Sequence, residues 1–109
     1  MTIYCPERGG MMDIPLDFSR HAFRRFEQRF PRAAKRQSLP GLFVQSICVS
    51  QYLNRRVWLN QNARAVLITV DLFDDATLAP KRLIVTVMRL GRLQHALKLV
   101  SNKQGAWYE

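Results

Sequence analysis

The stretch ARAVLITVDLFDDATLAPKRLIVTVMRL, residues 63–90, decides the fold of this protein. Its two ends, 63–73 and 81–90, are rich in Val, Ile, Leu and Thr, which favour β-strands. Residues 74–80 between them supply Asp, Ala, Thr and Pro, which are typical of a loop. The pattern predicts an antiparallel pair of strands. Both strands are apolar on nearly both faces, so we expect an inner position in a sheet or cover on each side.

The segments on either side of this pair predict one further strand and one element that fits either a helix or a strand. The short alternating stretch RRVWLN, residues 55–60, predicts a further strand with Trp58 in the core. After Gly91, residues 92–101 fit a helix through Leu93, Leu97 and Val100, but they also fit a strand. The Gln, Ala, Leu and Lys of this segment favour the helix.

The N-terminal half predicts helices. In FSRHAFRRFEQRF, residues 18–30, Ser19 suits an N-cap and Pro31 stops the helix after Phe30. At ~100° per residue, one side of this helix is an apolar stripe. The stripe consists of Ala22, Phe23, Phe26 and Phe30.

A second helix is predicted after the basic connector RAAKRQ, residues 32–37. Ser38 is its N-cap, Pro40 lies in its first turn, and the helix runs from about Leu39 to Leu53. The core residues expected from it are Leu42, Phe43, Val44 and Ile47.

These elements predict an α+β fold in which two N-terminal helices pack on a small, mainly antiparallel β-sheet of three or more strands. Residues 1–17, which Pro6, Gly9-Gly10 and Pro15 punctuate, form an extended lead-in, and residues 18–109 form one domain. A chain of 109 residues is too short for two such domains.

Charge is the unusual feature of the composition. Seventeen Lys and Arg oppose eight Asp and Glu, which leaves a net charge of +9, and Arg outnumbers Lys thirteen to four. Arginine favours bidentate contact with phosphate or carboxylate. We therefore expect nucleic acid as the main partner, although an acidic protein or an anionic membrane could use the same charge.

The side of the first helix opposite its apolar stripe concentrates these cations around one histidine. Residues 20–36 carry seven Lys and Arg against Glu27 alone. In a metal-independent ribonuclease, a base activates the 2′-hydroxyl, an acid protonates the leaving oxygen and cations stabilise the transition state. His21 is the candidate acid/base, and Arg25 and Arg29 are candidates for holding the phosphodiester. Candidate nucleic-acid contacts are Arg20, Arg24, Arg32, Lys35, Arg36, Arg55 and Arg56.

The order of these motifs resembles that of a known superfamily. SRHAFRRFEQRF, followed by a second helix and then by RRVWLN, RAVLITVDLF and LIVTVMRL, is similar to small toxin-like domains of the RelE/barnase-type ribonuclease superfamily. The resemblance covers residues 18–90 and implies RNA cleavage or at least RNA binding, and we separately expect a cytoplasmic location. It implies His21, Arg25, Arg29 and Thr86 as the site, with an acidic antitoxin or immunity protein as a further partner. Thr86 also fits a buried strand residue without a functional role.

Two other functions remain open beside catalysis. A small accessory or phage-type protein could use the same basic helix, without cleavage, to hold RNA or DNA or to dock on an acidic protein. Neither a cofactor nor a metal is expected, because Cys5, Cys48, His21 and His95 lack a ligand spacing, and Asp71, Asp74 and Asp75 are typical of turns.

The remaining expectations concern location and aromatic residues. No apolar run reaches the ~20 residues that cross a bilayer, and we expect an intracellular chain with reduced thiols. Tyr52, Trp107 and Tyr108 are candidates for stacking on bases, and His95 is expected at the surface.

Overall fold

The computed structural model describes residues 2–4, 13–73, 76 and 79–101. The strands are β1 (Thr2–Tyr4), β2 (Asp13–Phe18), β3 (Ile47–Tyr52), β4 (Arg55–Asn60), β5 (Ala65–Phe73) and β6 (Pro80–Arg89). The helices are α1 (Arg20–Arg29), α2 (Pro31–Arg36), α3 (Leu39–Val44) and α4 (Leu93–Ser101), with a 3₁₀ turn at Leu90–Arg92.

The α+β class is confirmed, but the expected arrangement of the helices and the sheet is wrong. The strand order is β1-β2-β6-β5-β4-β3, in which β2 to β6 form a five-stranded mixed sheet and β1 pairs with β2 at its edge. β2 lies parallel to β6, whereas β3, β4, β5 and β6 pair antiparallel in succession. The helices therefore follow the first strands, and part of the expected lead-in belongs to the sheet.

The predicted second helix is wrong beyond Val44. α3 ends there, and Ile47–Tyr52 instead forms β3 in a hairpin with β4. Ile47 and Val49 are β-branched and favour a strand once β4 offers a pairing partner. Leu42 and Phe43 are buried as predicted, but Val44 and Ile47 are about 60% exposed.

The predicted basic connector contains a helix of its own. Pro31 ends α1 as expected, and it also occupies the first turn of α2. The C-terminal segment takes the helical alternative, as α4.

Both faces of β5 and β6 are covered, as their apolar pattern predicts. On one face, Ala22 and Phe26 of α1 and Leu42 and Phe43 of α3 pack on the sheet around Trp58. On the other face, Ala96 and Val100 of α4 lie against Val57, Val66, Ile68 and Met88. The sheet therefore separates α1 from α4.

The described chain does not include every predicted feature. Cys5, Asp74, Asp75, Trp107 and Tyr108 lie outside the described residues, as do most of the lead-in 1–17 and part of the loop 74–80.

Candidate nucleic-acid interface

α1 is fixed to β6 at its first residues. The Ser19 hydroxyl accepts a hydrogen bond from the Ala22 N–H at 3.0 Å, which confirms the predicted N-cap. The same hydroxyl donates to the Val85 carbonyl at 3.3 Å, and the Ser19 N–H donates to the Ile84 carbonyl at 2.9 Å. β2 ends at Phe18, and beyond its last pair, Phe18 with Ile84, α1 covers the edge of β6.

The apolar stripe of α1 is narrower than predicted. Ala22 and Phe26 are buried and Phe30 is half-buried, but Phe23 is 41% exposed. Its ring stacks on that of Phe18, with the centroids 5.9 Å apart. Phe23 therefore belongs to the surface beside the helix and not to the core.

His21, Arg25 and Arg29 form one stripe along the flank of α1. Each residue lies one turn beyond the last, so the stripe rises about 12 Å from His21 to Arg29. All three side chains are half-buried. Arg25 donates from Nη1 to Gln28 Oε1 at 3.0 Å, which holds its guanidinium along the helix.

Arg29 also has a structural contact. Its Nη1 donates to the Val87 carbonyl at 2.8 Å, on the edge of β6 that β2 leaves uncovered. Arg20 and Arg24 are exposed on the opposite side of α1 from Ala22. The predicted basic ridge is therefore divided into an exposed outer pair, Arg20 and Arg24, and the flank stripe. The last residue of the flank stripe, Arg29, also anchors α1 to β6.

Thr86 does not join this stripe. It is fully buried and lies opposite Ile68 in the β5–β6 ladder. Directly opposed residues of an antiparallel pair share a face, and Ile68 belongs to the core beneath α4. The sheet thus separates Thr86 from His21, Arg25 and Arg29, which the structure does bring together.

A groove opens where α1 meets α2. It has a volume of about 520 Å³ and lies between this junction, the end of α3 and the turn between β4 and β5. Its floor includes Phe30, Pro31 and Ala63, and three amides line it. The amides are those of Gln37, Gln45 and Asn62, and the lining cations are Arg29, Arg32 and Arg36.

A second depression of about 410 Å³ adjoins the first. The two share Phe30 and Ala63, and the second adds Arg64 from the β4–β5 turn and Arg89 from the end of β6. We call the combined surface the arginine groove, defined by its five arginines. No carboxylate lines it among the residues that the structure describes. The five are Arg29, Arg32, Arg36, Arg64 and Arg89.

Arg64 is held in a backbone conformation that suits glycine better. Its φ is 55°, in the left-handed region. Its carbonyl accepts from the Leu90 N–H at 2.9 Å, and its own N–H donates to the Gln61 carbonyl at 3.3 Å. A non-glycine residue in this region costs of order 1 kcal/mol, so the turn that places Arg64 in the groove lining does so at the expense of local strain.

Sequence reasoning offered Arg64, with Arg55 and Arg56, only as an extension of the basic track along one sheet face, and it assigned no site role to Arg89. The available signal was the antiparallel pairing of the two strongest strands, because it brings the start of 65–73 beside the end of 81–90. The register pairs Ala65 with Arg89, and that places both arginines at one end of the sheet.

Arg55 and Arg56 lie away from the arginine groove. The Arg56 side chain is 1% exposed, and its Nε donates to Asp71 Oδ2 at 3.3 Å. The Arg55 Nη1 donates to the Val100 carbonyl in the last turn of α4 at 3.3 Å. These two arginines therefore tie elements together: Arg56 is buried, whereas Arg55 is half-buried and its predicted nucleic-acid contact stays a prediction.

Asp71 is a strand residue and not the turn residue predicted. It lies within β5, and its carboxylate also accepts from Arg82 Nε at 2.8 Å. Lys35 is exposed on α2, outside the groove lining, and His95 is half-buried on α4, across the sheet from the groove.

The described residues hold neither a cluster of metal ligands nor a helix that could span a membrane. Within 13–73 and 79–101, no three His, Cys, Asp or Glu side chains come together as a metal site requires. None of the helices in this part of the chain is long and apolar enough to span a membrane. No protein-family model matches the chain, and neither a curated protein nor a solved structure matches it.

Proposed function

We propose that this protein binds RNA through the arginine groove. The observation that carries the proposal is the set of five arginines around two depressions that share Phe30 and Ala63 and whose described lining contains no carboxylate. Guanidinium groups bind phosphate through paired hydrogen bonds, and a row of them releases counterions from a nucleic-acid backbone. RNA is preferred over DNA because the sequence resembles a superfamily of ribonucleases.

The floor of the groove suits a single strand. Phe30 and Pro31 offer flat apolar surface to a base, and three amides offer donors and acceptors to base edges. Five arginines line the same surface, and they would bind the phosphates of a strand that crosses it. RNA would then follow the flank of α1 towards Arg25 and His21.

The test compares two pairs of exposed arginines that remove equal charge. Arg36→Gln with Arg89→Gln takes one cation from each half of the groove, whereas Arg20→Gln with Arg24→Gln takes two from the outer side of α1. Fluorescence anisotropy with a short single-stranded RNA measures the affinity. We expect the groove pair to lower the RNA affinity by about tenfold or more and the outer pair to lower it by less than about threefold.

Equal losses in the two pairs would show that net charge, and not the groove, governs binding. Tight binding of an acidic protein with no binding of RNA would support the acidic-protein alternative. Arg64→Gly adds a variant that cannot act by unfolding, because glycine accepts the positive φ at this position. We expect it to weaken RNA binding while its melting temperature stays unchanged or rises.

A second candidate function is RNA cleavage, which the flank stripe favours. His21 lies one turn from Arg25 and two turns from Arg29, on a flank that leads into the groove. In the proposed step a base takes the 2′-hydroxyl proton while O2′ bonds to phosphorus. The bond from phosphorus to O5′ breaks, and the leaving oxygen takes a proton, which leaves a 2′,3′-cyclic phosphate.

Cleavage is tested on end-labelled RNA in EDTA with wild type and His21→Gln. We expect wild type to release cyclic-phosphate products, and His21→Gln to bind RNA equally but cut at least about 100-fold more slowly. Undiminished cleavage by His21→Gln would remove the histidine from the mechanism. If wild type binds RNA without cutting it, the protein is a binder and the first proposal stands alone.

A further inference from the structure

β3 forms one end of the sheet. Its inner edge pairs with β4, and among the described residues no strand pairs with its outer edge. The backbone N–H and C=O groups along such an edge can hydrogen-bond to another strand. Soluble proteins commonly protect an edge of this kind with lysines, prolines or a covering element.

The edge of β3 carries aliphatic side chains where charged ones are usual. Four aliphatic side chains in and near β3 are exposed: Ile47 and Val49 on the strand by 60% and 41%, Leu53 directly after it by 72%, and Val44 at the end of α3 by 61%. The bulge between Cys48 and Ser50 bends the strand but adds no charge. This combination of an open ladder and exposed aliphatics is typical of a strand that pairs with another chain.

The charge pattern indicates which chain that is. Residues 37–54 contain no charged side chain, although the protein has 25 (17 basic and 8 acidic) among 109 residues. Two molecules of net charge +9 repel each other least where neither presents cations. An acidic partner would gain nothing from this neutral edge, whereas it would gain from the basic surfaces elsewhere.

We infer that β3 pairs antiparallel with β3 of a second copy about a twofold axis. An antiparallel strand pair is self-complementary under this symmetry, so each hydrogen bond forms twice. Ile47 lies opposite Leu59, which packs beneath α4, so the aliphatic face of one copy would continue into that of the other. The inference goes beyond RNA binding and does not depend on it.

The test is the mass in solution as a function of concentration. Sedimentation velocity from about 1 to 300 µM, in enough salt to screen the net charge, should show a shift from 12.7 kDa to twice that mass. Ile47→Lys and Val49→Lys should each remove the dimer, because two like charges would meet across the axis. Leu72→Lys is the matched control, since Leu72 is also 41% exposed on a strand but lies at the end of β5.

Hydrogen exchange supplies a second readout that a folding defect would not imitate. Amides of residues 47–52 should gain protection at high protein concentration in wild type and Leu72→Lys, but not in folded Val49→Lys. A wild type that stays monomeric throughout would overturn the inference, and so would a dimer that both β3 lysine variants retain. Because the β3 variants leave the arginine groove intact, their RNA affinity separates this result from the outcome for the proposed function.

Discussion

Asp71 lies between two arginines that are almost fully buried. Arg56 and Arg82 each expose 1% of their side chains, and both donate to the Asp71 carboxylate. The Arg82 guanidinium also lies 5.2 Å from the centroid of Trp58, whose indole N–H donates to Thr69. Buried guanidinium groups need this compensation because the loss of water around a charge costs several kcal/mol.

Replacing Asp71 by Asn should therefore destabilise the protein strongly. We expect a loss of about 3 kcal/mol or more in the free energy of unfolding, because both guanidiniums lose their shared carboxylate. Urea denaturation measures it. Asp17→Asn is the control and should cost under about 1 kcal/mol, since Asp17 pairs with Lys81 at 3.2 Å and both side chains reach solvent. Equal small losses in both variants would show that Asp71 does not stabilise the arginines.

Asp17 itself predicts a small pH effect. The Phe18 N–H donates to its Oδ1 at 2.8 Å and lowers the pKa of the carboxyl below the usual 3.8, with Lys81 contributing further. A folded pKa below the unfolded one stabilises the protein above about pH 4, and this stabilisation disappears as the pH falls through the lowered value. The stability difference between wild type and Asp17→Asn should thus be constant above pH 5 and vanish towards pH 2. A difference that grows on acidification would contradict the sign.

At the scale of elements, α1 acts as a cover for the open part of β6. Ser19 binds the edge at Ile84 and Val85, and Arg29 binds it at Val87, so both ends of the helix are tied to one strand. These contacts satisfy β6 carbonyls from Ile84, the last residue in register with β2, onwards. This anchoring sets the orientation of the flank stripe, which consists of His21, Arg25 and Arg29.

Arg29→Met should destabilise the protein without preventing α1 from forming. The carbonyl of Val87 would lose its charged donor, and we expect a cost of about 1 to 3 kcal/mol in thermal or urea unfolding. Arg25→Met is the matched variant, because its Nη1 partner is Gln28 on the same helix, and it should cost under about 0.5 kcal/mol. If the two variants lose the same stability, the bond to Val87 is not an anchor.

The whole molecule joins a basic groove to a sheet with a neutral edge. Arg32 and Arg36 come from α2, Arg64 from a turn and Arg89 from the end of β6, so the groove exists only once α2 packs beside the β4–β5 turn. Arginines that lie more than fifty positions apart in the sequence, such as Arg32 and Arg89, therefore belong to one cationic surface. We therefore expect salt to weaken the binding of anions to the whole groove at once.

RNA affinity should fall steeply as salt rises. Each phosphate contact contributes about 0.7 to the slope of log K against log salt for a single strand. Arg36→Gln with Arg89→Gln should reduce the slope by about 1.4, while Arg20→Gln with Arg24→Gln should leave it nearly unchanged. Titrations between 50 and 300 mM salt measure the slopes. A slope near zero in wild type would contradict phosphate contacts altogether.

Local pattern determined much of the architecture. Strands near 55–60, 65–73 and 80–89, the Ser19 cap, the stop at Pro31 and the buried Leu42, Phe43 and Trp58 follow from periodicity and turn chemistry, and the structure confirms them. Apolar residues on both faces of β5 and β6 also indicated an inner position or cover on each side. These features depend on neighbours a few positions apart, which a sequence displays directly.

Tertiary structure decided what depends on distant partners. β2 became a strand because β6 lies beside it, about 66 residues further along, and β3 replaced a predicted helix because β4 pairs with it. Pairing likewise decided which predicted site residues are exposed. Arg56 is buried in its ion pair with Asp71, and the register of β6 places Thr86 on the face beneath α4. The turn at Arg64 adds an arginine to the groove lining. A charged side chain in a sequence shows what it can bind, but its partner and its exposure are set only when the strands take their order.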